Sequence, residues 1–144
     1  YGAKVPDDKG QWATYFQSFW KMAEGCDLVF FDPDNGMEVR SKPIGRKDSC
    51  KYLYWAELEH AYSVGHSVLV FQYFRRVNRR VFIERLAGDL SATTGAPVIH
   101  SFRTARFVCF LLPSEAHAKV LGRRAWAVSD VWGDQIRVRR HKDG

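Results

Sequence analysis

The chain has 144 residues, 46% of them hydrophobic and 15% aromatic, and a net charge of +6. That length suits one domain with a real core, and the composition excludes a disordered chain. No apolar run approaches the ~20 residues that a membrane helix needs, and no secretory signal is visible, so a cytoplasmic protein without a membrane partner is expected.

The charge is unevenly spread. Residues 1–60 hold 8 Lys and Arg against 10 Asp and Glu, whereas residues 61–144 hold 14 against 6. A basic half of this kind points to a nucleic-acid or phosphate-bearing partner. Cys26, Cys50 and Cys109 lack metal-ligand spacing and read as buried, reduced thiols. His60, His66, His100, His117 and His141 are scattered without such spacing either.

Helical spacing of Trp12, Tyr15, Phe16, Phe19, Trp20 and Ala23 predicts a helix over 8–24, stopped by Gly25. A strand follows over 27–31, and its uninterrupted apolar run suits a central strand buried on both faces. Residues 33–50 read as a long loop of the kind that often carries function. A helix over 54–64 turns Trp55, Leu58, Ala61 and Tyr62 inward, and a second buried strand over 67–73 ends at Gln72. A helix over 78–92 presents Val81, Phe82, Leu86 and Leu90. Strands over 97–102 and 106–112, joined by a tight connection, form an antiparallel pair. A helix over 114–124 is opened by Ser114 as N-cap. The last stretch, with Trp126, Trp132 and Ile136, is ambiguous between strand and coil. Alternating strands and helices give an α/β class, a three-layer Rossmann-like partial sheet of parallel strands ending in an antiparallel pair. The chain reads as a single 1–144 domain, either complete or a fragment lacking an N-terminal half.

The stretch Asp27-Leu-Val-Phe-Phe-Asp-Pro-Asp-Asn-Gly36 is the most informative one. It brings Asp32, Asp34 and Asn35 to the carboxyl end of a strand, where open α/β sheets bind their ligands. These three are the candidate catalytic residues. Glu38 and Lys51, with Gln72, Arg75 and Arg76 at the end of the neighbouring strand, are the candidate substrate-binding residues. Arg79 and Arg80 either track a phosphate backbone with them or form the outer face of the following helix. Two carboxylates one residue apart also suit a Mg²⁺ ion held by Asp32 and Asp34, with Glu38 as a third oxygen, as a phosphohydrolase or nuclease would use it. The bland alternative is that Asp34, Asn35 and Gly36 only make a turn.

The element order resembles the second half of a class I S-adenosylmethionine-dependent methyltransferase: strand 4, helix, strand 5, helix, then the antiparallel strands 6 and 7. In base-amino methyltransferases strand 4 ends in Asp/Asn-Pro-Pro-aromatic. Asp32-Pro33 matches the first two positions, while Asp34 and Asn35 depart from the last two. More closely, Phe31-Asp-Pro-Asp-Asn-Gly-Met-Glu38, Lys51-Tyr-Leu-Tyr-Trp55, Ser67-Val-Leu-Val-Phe-Gln-Tyr-Phe-Arg75, Arg103-Thr-Ala-Arg-Phe107 and Val131-Trp-Gly133 resemble a set of prokaryotic and phage-borne proteins. That resemblance implies a methyltransferase-like fold from a mobile-element context, without an established activity. S-adenosylmethionine would be the cofactor if a cofactor half exists, yet no Gly-x-Gly turn occurs in the chain. Three functions stand open: a methyltransferase-like domain, with catalysis either kept or lost, that handles nucleic acid or nucleotide; the Mg²⁺-dependent enzyme; and a non-catalytic module. An aromatic surface of this size leads one to expect a homo-oligomer, most simply a homodimer.

Overall fold

The computed structural model describes residues 4–142. Its elements in chain order are α1 (Lys9–Ala23), β1 (Leu28–Phe31), α2 (Trp55–Ser63), β2 (Ser67–Tyr73), α3 (Arg79–Thr94), β3 (Val98–Arg103), β4 (Phe107–Leu112), α4 (Ala118–Trp132) and β5 (Arg137–Lys142). Single 3-10 turns occupy Ser49–Lys51 and Glu115–His117. The expected helices and strands are therefore present, with β5 added where the sequence was ambiguous. The class is α/β, built on one five-stranded mixed sheet.

The strand order is β1-β2-β4-β3-β5. Only β1 and β2 pair in parallel, as a βαβ unit through α2 demands; β2 with β4, β4 with β3, and β3 with β5 are antiparallel. The sheet is thus mostly antiparallel, a correction to the parallel sheet expected from alternating elements. The pair β3–β4 does not close the sheet at its end. Instead β4 slots between β2 and β3, and β5 forms the far edge.

The strand read as central is an edge strand. Along β1, Val29 and Phe31 are buried while Leu28 and Phe30 are exposed, Phe30 by 51%. A run without polar alternation looks like a twice-buried strand, but here the second face is open. Val29 and Phe31 join Val68, Val70, Val108, Phe110, Leu112 and Ile99 on the covered face, under Leu58 and Ala61 of α2 and Ile83, Leu86 and Leu90 of α3. Helix α1 packs alongside: Asp8 caps it by accepting the Gln11 N–H at 2.9 Å, and its Phe19 and Trp20 rings meet Phe31. Helix α4 lies on the other face near β3, where Trp126 meets the buried His100 edge-on.

Several details differ from expectation. Val81 is 61% exposed because Ile83 and Ala87, not Val81, face the sheet from α3. Ser114 does not cap α4 with its side chain; its hydroxyl bonds elsewhere, and α4 starts later and runs to Trp132. Cys26 is exposed and Cys50 and Cys109 are half-buried, so the buried-thiol reading fails for Cys26, although all three are free. Trp126 is 47% exposed, whereas Trp12 is buried. No helix among the described residues is long and apolar enough to cross a membrane.

Candidate functional site

Asp32 follows β1 directly. The register Phe31↔Val70 puts it one step on, alongside Phe71 of β2, itself paired with Cys109 of β4. All three lie on the open face. The negative charge of Asp32 is felt there: burial chiefly, and Asp32 secondarily, push the Cys109 thiol up to about 11. Asp32 and Asp34 are exposed and line a cavity of about 690 Å³ together with Lys51, Tyr52, Phe30 and Phe19.

The chain after Asp32 is a turn. The Gly36 N–H donates to the Pro33 carbonyl at 3.3 Å, and the Asn35 N–H to the Lys51 carbonyl at 2.9 Å. Gly36 adopts φ +82°, in the left-handed region that favours glycine. Asp34 and Asn35 are thus turn residues with exposed side chains, as the bland reading held, whereas Asp32 is presented by the strand itself.

Gln72 has a different role from the one its position suggested. It is 2% exposed. The Met37 N–H donates to its Oε1 at 2.8 Å, and its Nε2 donates to the Tyr73 carbonyl at 2.8 Å. Both ends of the amide bond to backbone, so Gln72 pins the turn to β2. Its side chain also fills the space over Gly36, where a Cβ would come within 2.3 Å of it.

Lys51 lines the cavity but is paired with Asp48 at 3.0 Å, which holds the Asp48 carboxyl low and the Lys51 ammonium high. Glu38 is not among the lining residues; its N–H pairs with the Leu53 carbonyl, and its charge reaches Tyr54 and Glu57 instead. Arg75 and Arg76 are exposed just beyond β2. Arg79 sits over the Phe74 ring at 5.0 Å and Arg80 pairs with Glu84 at 2.9 Å, so these two belong to the α3 surface.

Three arrangements escaped the sequence. Asp7 accepts from the Asp48 and Cys50 N–H groups, at 2.9 and 2.8 Å, and from the Ser49 hydroxyl at 3.2 Å. Those backbone bonds hold its carboxyl far below the ordinary range and tie the far end of the 33–50 loop to the start of α1. Glu57, on α2, accepts from Trp12 Nε1 at 2.8 Å, while its Oε2 is buried without a partner. No local pattern marks either residue, because both bonds span more than forty positions. Ser67, Ser114, His117 and Asp27 also form a chain, with both hydroxyls on His117 Nδ1 and Asp27 at 3.3 Å from Nε2. The serines are 0% and 5% exposed, so this set fastens the start of α4 to β2 and does not expose a nucleophile.

The donor set for a metal is not assembled. Among the described residues no group of three or more His, Cys, Asp or Glu is placed to hold an ion. Asp32 and Asp34 remain as two exposed carboxylates at one corner, with Glu38 outside the cavity they line.

The chain was compared with family models, curated proteins and solved structures. It matches none of them. The reading of the site therefore rests on its own geometry.

Proposed function

We propose that the chain is a methyltransferase-like α/β domain that binds nucleic acid at the corner where β1 and β2 end, without completing methyl transfer. The order β1, α2, β2, α3 and then the antiparallel β3 and β4 follows the resemblance element for element. Asp32-Pro33 occupies the strand-4 corner, which supports the Rossmann-like relationship, while Asp34 and Asn35 stand where the second proline and the aromatic would be. The observation that carries the binding role is the pairing of two parallel strand ends: Asp32, an acceptor for base amino groups, is presented beside the strand that leads into the exposed Arg75 and Arg76. The arginines supply phosphate attraction that is independent of sequence, and the acidic acceptor supplies a contact to base edges.

Equilibrium titration of a fluorescent oligonucleotide at two salt concentrations tests this. The expected result is binding that weakens with salt and is lost in the Arg75→Glu/Arg76→Glu variant, with no thermal shift from S-adenosylmethionine added to this chain. A chain that retains no oligonucleotide even at low salt refutes the reading.

A further inference from the structure

The β1–β2–β4 part of the sheet is covered on one face only. On the other, Phe71 meets Tyr73 at 4.7 Å and Phe107 at 4.8 Å between ring centroids, and Tyr73 and Phe107 are a directly opposed cross-strand pair. Tyr73 is 52% exposed. Phe30, 51% exposed, continues the apolar surface on β1, beside Leu69. Soluble domains seldom leave a contiguous aromatic patch of this kind open without a use.

Its surroundings say what covers it. The rings lie at the end of the sheet where the chain leaves β2 into Arg75 and Arg76 and enters β4 from Arg106, all three exposed. A polyanion with flat apolar rings meets both parts at once: its phosphates face the arginines and its rings lie on the aromatics. Duplex nucleic acid hides its base faces, so only an unpaired strand offers them.

We infer that this open sheet face binds single-stranded nucleic acid, with successive bases stacked on Tyr73, Phe107 and Phe30 and the backbone running past Arg75, Arg76 and Arg106. The inference rests on the nucleic-acid reading above and adds the state of the strand and the surface that holds it. Phe71, half-buried like Phe107, is touched by both neighbouring rings and joins them into one surface. Cys109, with its thiol held neutral in the same patch, adds apolar surface and no charge.

The test uses a labelled oligothymidine of about 12 nucleotides, within the span one such module covers, and the same strand paired with oligoadenosine. The single strand should bind more tightly than the duplex. Tyr73→Ala and Phe30→Ala, at half-exposed positions that cost the fold little, should each weaken it about five- to a hundredfold, while Tyr73→Phe keeps the ring and binds as wild type. Arg75→Gln with Arg76→Gln should lower the salt slope by about 1.4, since each phosphate contact to a single strand contributes ~0.7. If the strand binds but Tyr73→Ala and Phe30→Ala match wild type, or if the duplex binds equally, the stacking surface is refuted and the corner reading survives. If Phe30→Ala dissolves a dimer of the free protein, the face joins two copies and the inference falls. No binding by wild type removes both readings together.

Discussion

The Gln72 side chain lies over Gly36 so closely that the glycine has no room for a methyl group, with 2.3 Å between the position of such a carbon and the amide. The same amide accepts the Met37 N–H and donates to the Tyr73 carbonyl. One buried residue on β2 therefore fixes the chain at Gly36 and Met37, at the far side of the turn from Asp32.

Gly36→Ala should lower stability by about 1–3 kcal/mol from the left-handed backbone alone, with a further loss from displacing Gln72. Urea midpoints of Gly36→Ala, Gln72→Ala and the double variant read this directly. The double variant should be more stable than the sum of the single losses implies, because removing the amide frees the space the methyl needs. Simple additivity would mean that the two residues do not constrain one another.

Two carboxyls give opposite pH dependences in separate windows. Asp7 is held below its ordinary value of 3.8 chiefly by the Cys50 and Asp48 N–H groups, so its contribution is present above that value and lost as acid protonates it. Glu57 is raised above its ordinary 4.5 chiefly by burial, so its contribution is complete below that value and declines as pH rises through the raised one. Thermal melting from pH 3 to pH 8, a range of roughly five units around these ordinary carboxyl values, should show Asp7→Asn losing the acid-side dependence. Glu57→Gln, which keeps an acceptor for Trp12, should lose the decline above the carboxyl range. Unchanged profiles in both variants would remove the assignment.

The thiols should separate by reactivity. Cys26 is exposed, whereas Cys109 is pushed up to about 11 and Cys50 is also raised, first by burial and then by Asp7. Since the thiolate is the attacking form, iodoacetamide at neutral pH should label Cys26 first and Cys109 last, as peptide mass spectrometry would record. Asp32→Asn removes one of the two causes at Cys109 and should quicken its labelling. Equal rates at the three positions would contradict the burial described above.

Much of the element map was legible because its signals are local. The spacing of Trp12, Phe16 and Trp20 marks α1, Asp8 is an ordinary N-cap, and the short link between β3 and β4 dictates an antiparallel hairpin. Strand order was not legible, because the choice of neighbour is decided by which faces find cover. β1 reads as central since Leu28 and Phe30 are apolar, and only the assembled sheet shows that both stay exposed. At the site, Asp32, Asp34 and Lys51 were brought to one cavity as their positions suggested. Gln72 lies at the strand end as expected, but its backbone bonds to Met37 and Tyr73 were not legible, because a strand-end amide looks the same in sequence whether it meets ligand or backbone. Asp7 and Glu57 were invisible for want of any short-range pattern.

The two margins of the sheet are defended unequally. β5 carries Arg137, Arg139, Arg140 and Lys142, a density of like charge that repels any strand approaching alongside it. β1 is Leu-Val-Phe-Phe, uncharged throughout, with Asp27 and Asp32 as the only gatekeepers at its ends. The β5 margin is thus guarded by charge along its whole length, whereas the β1 margin is guarded only at its two ends.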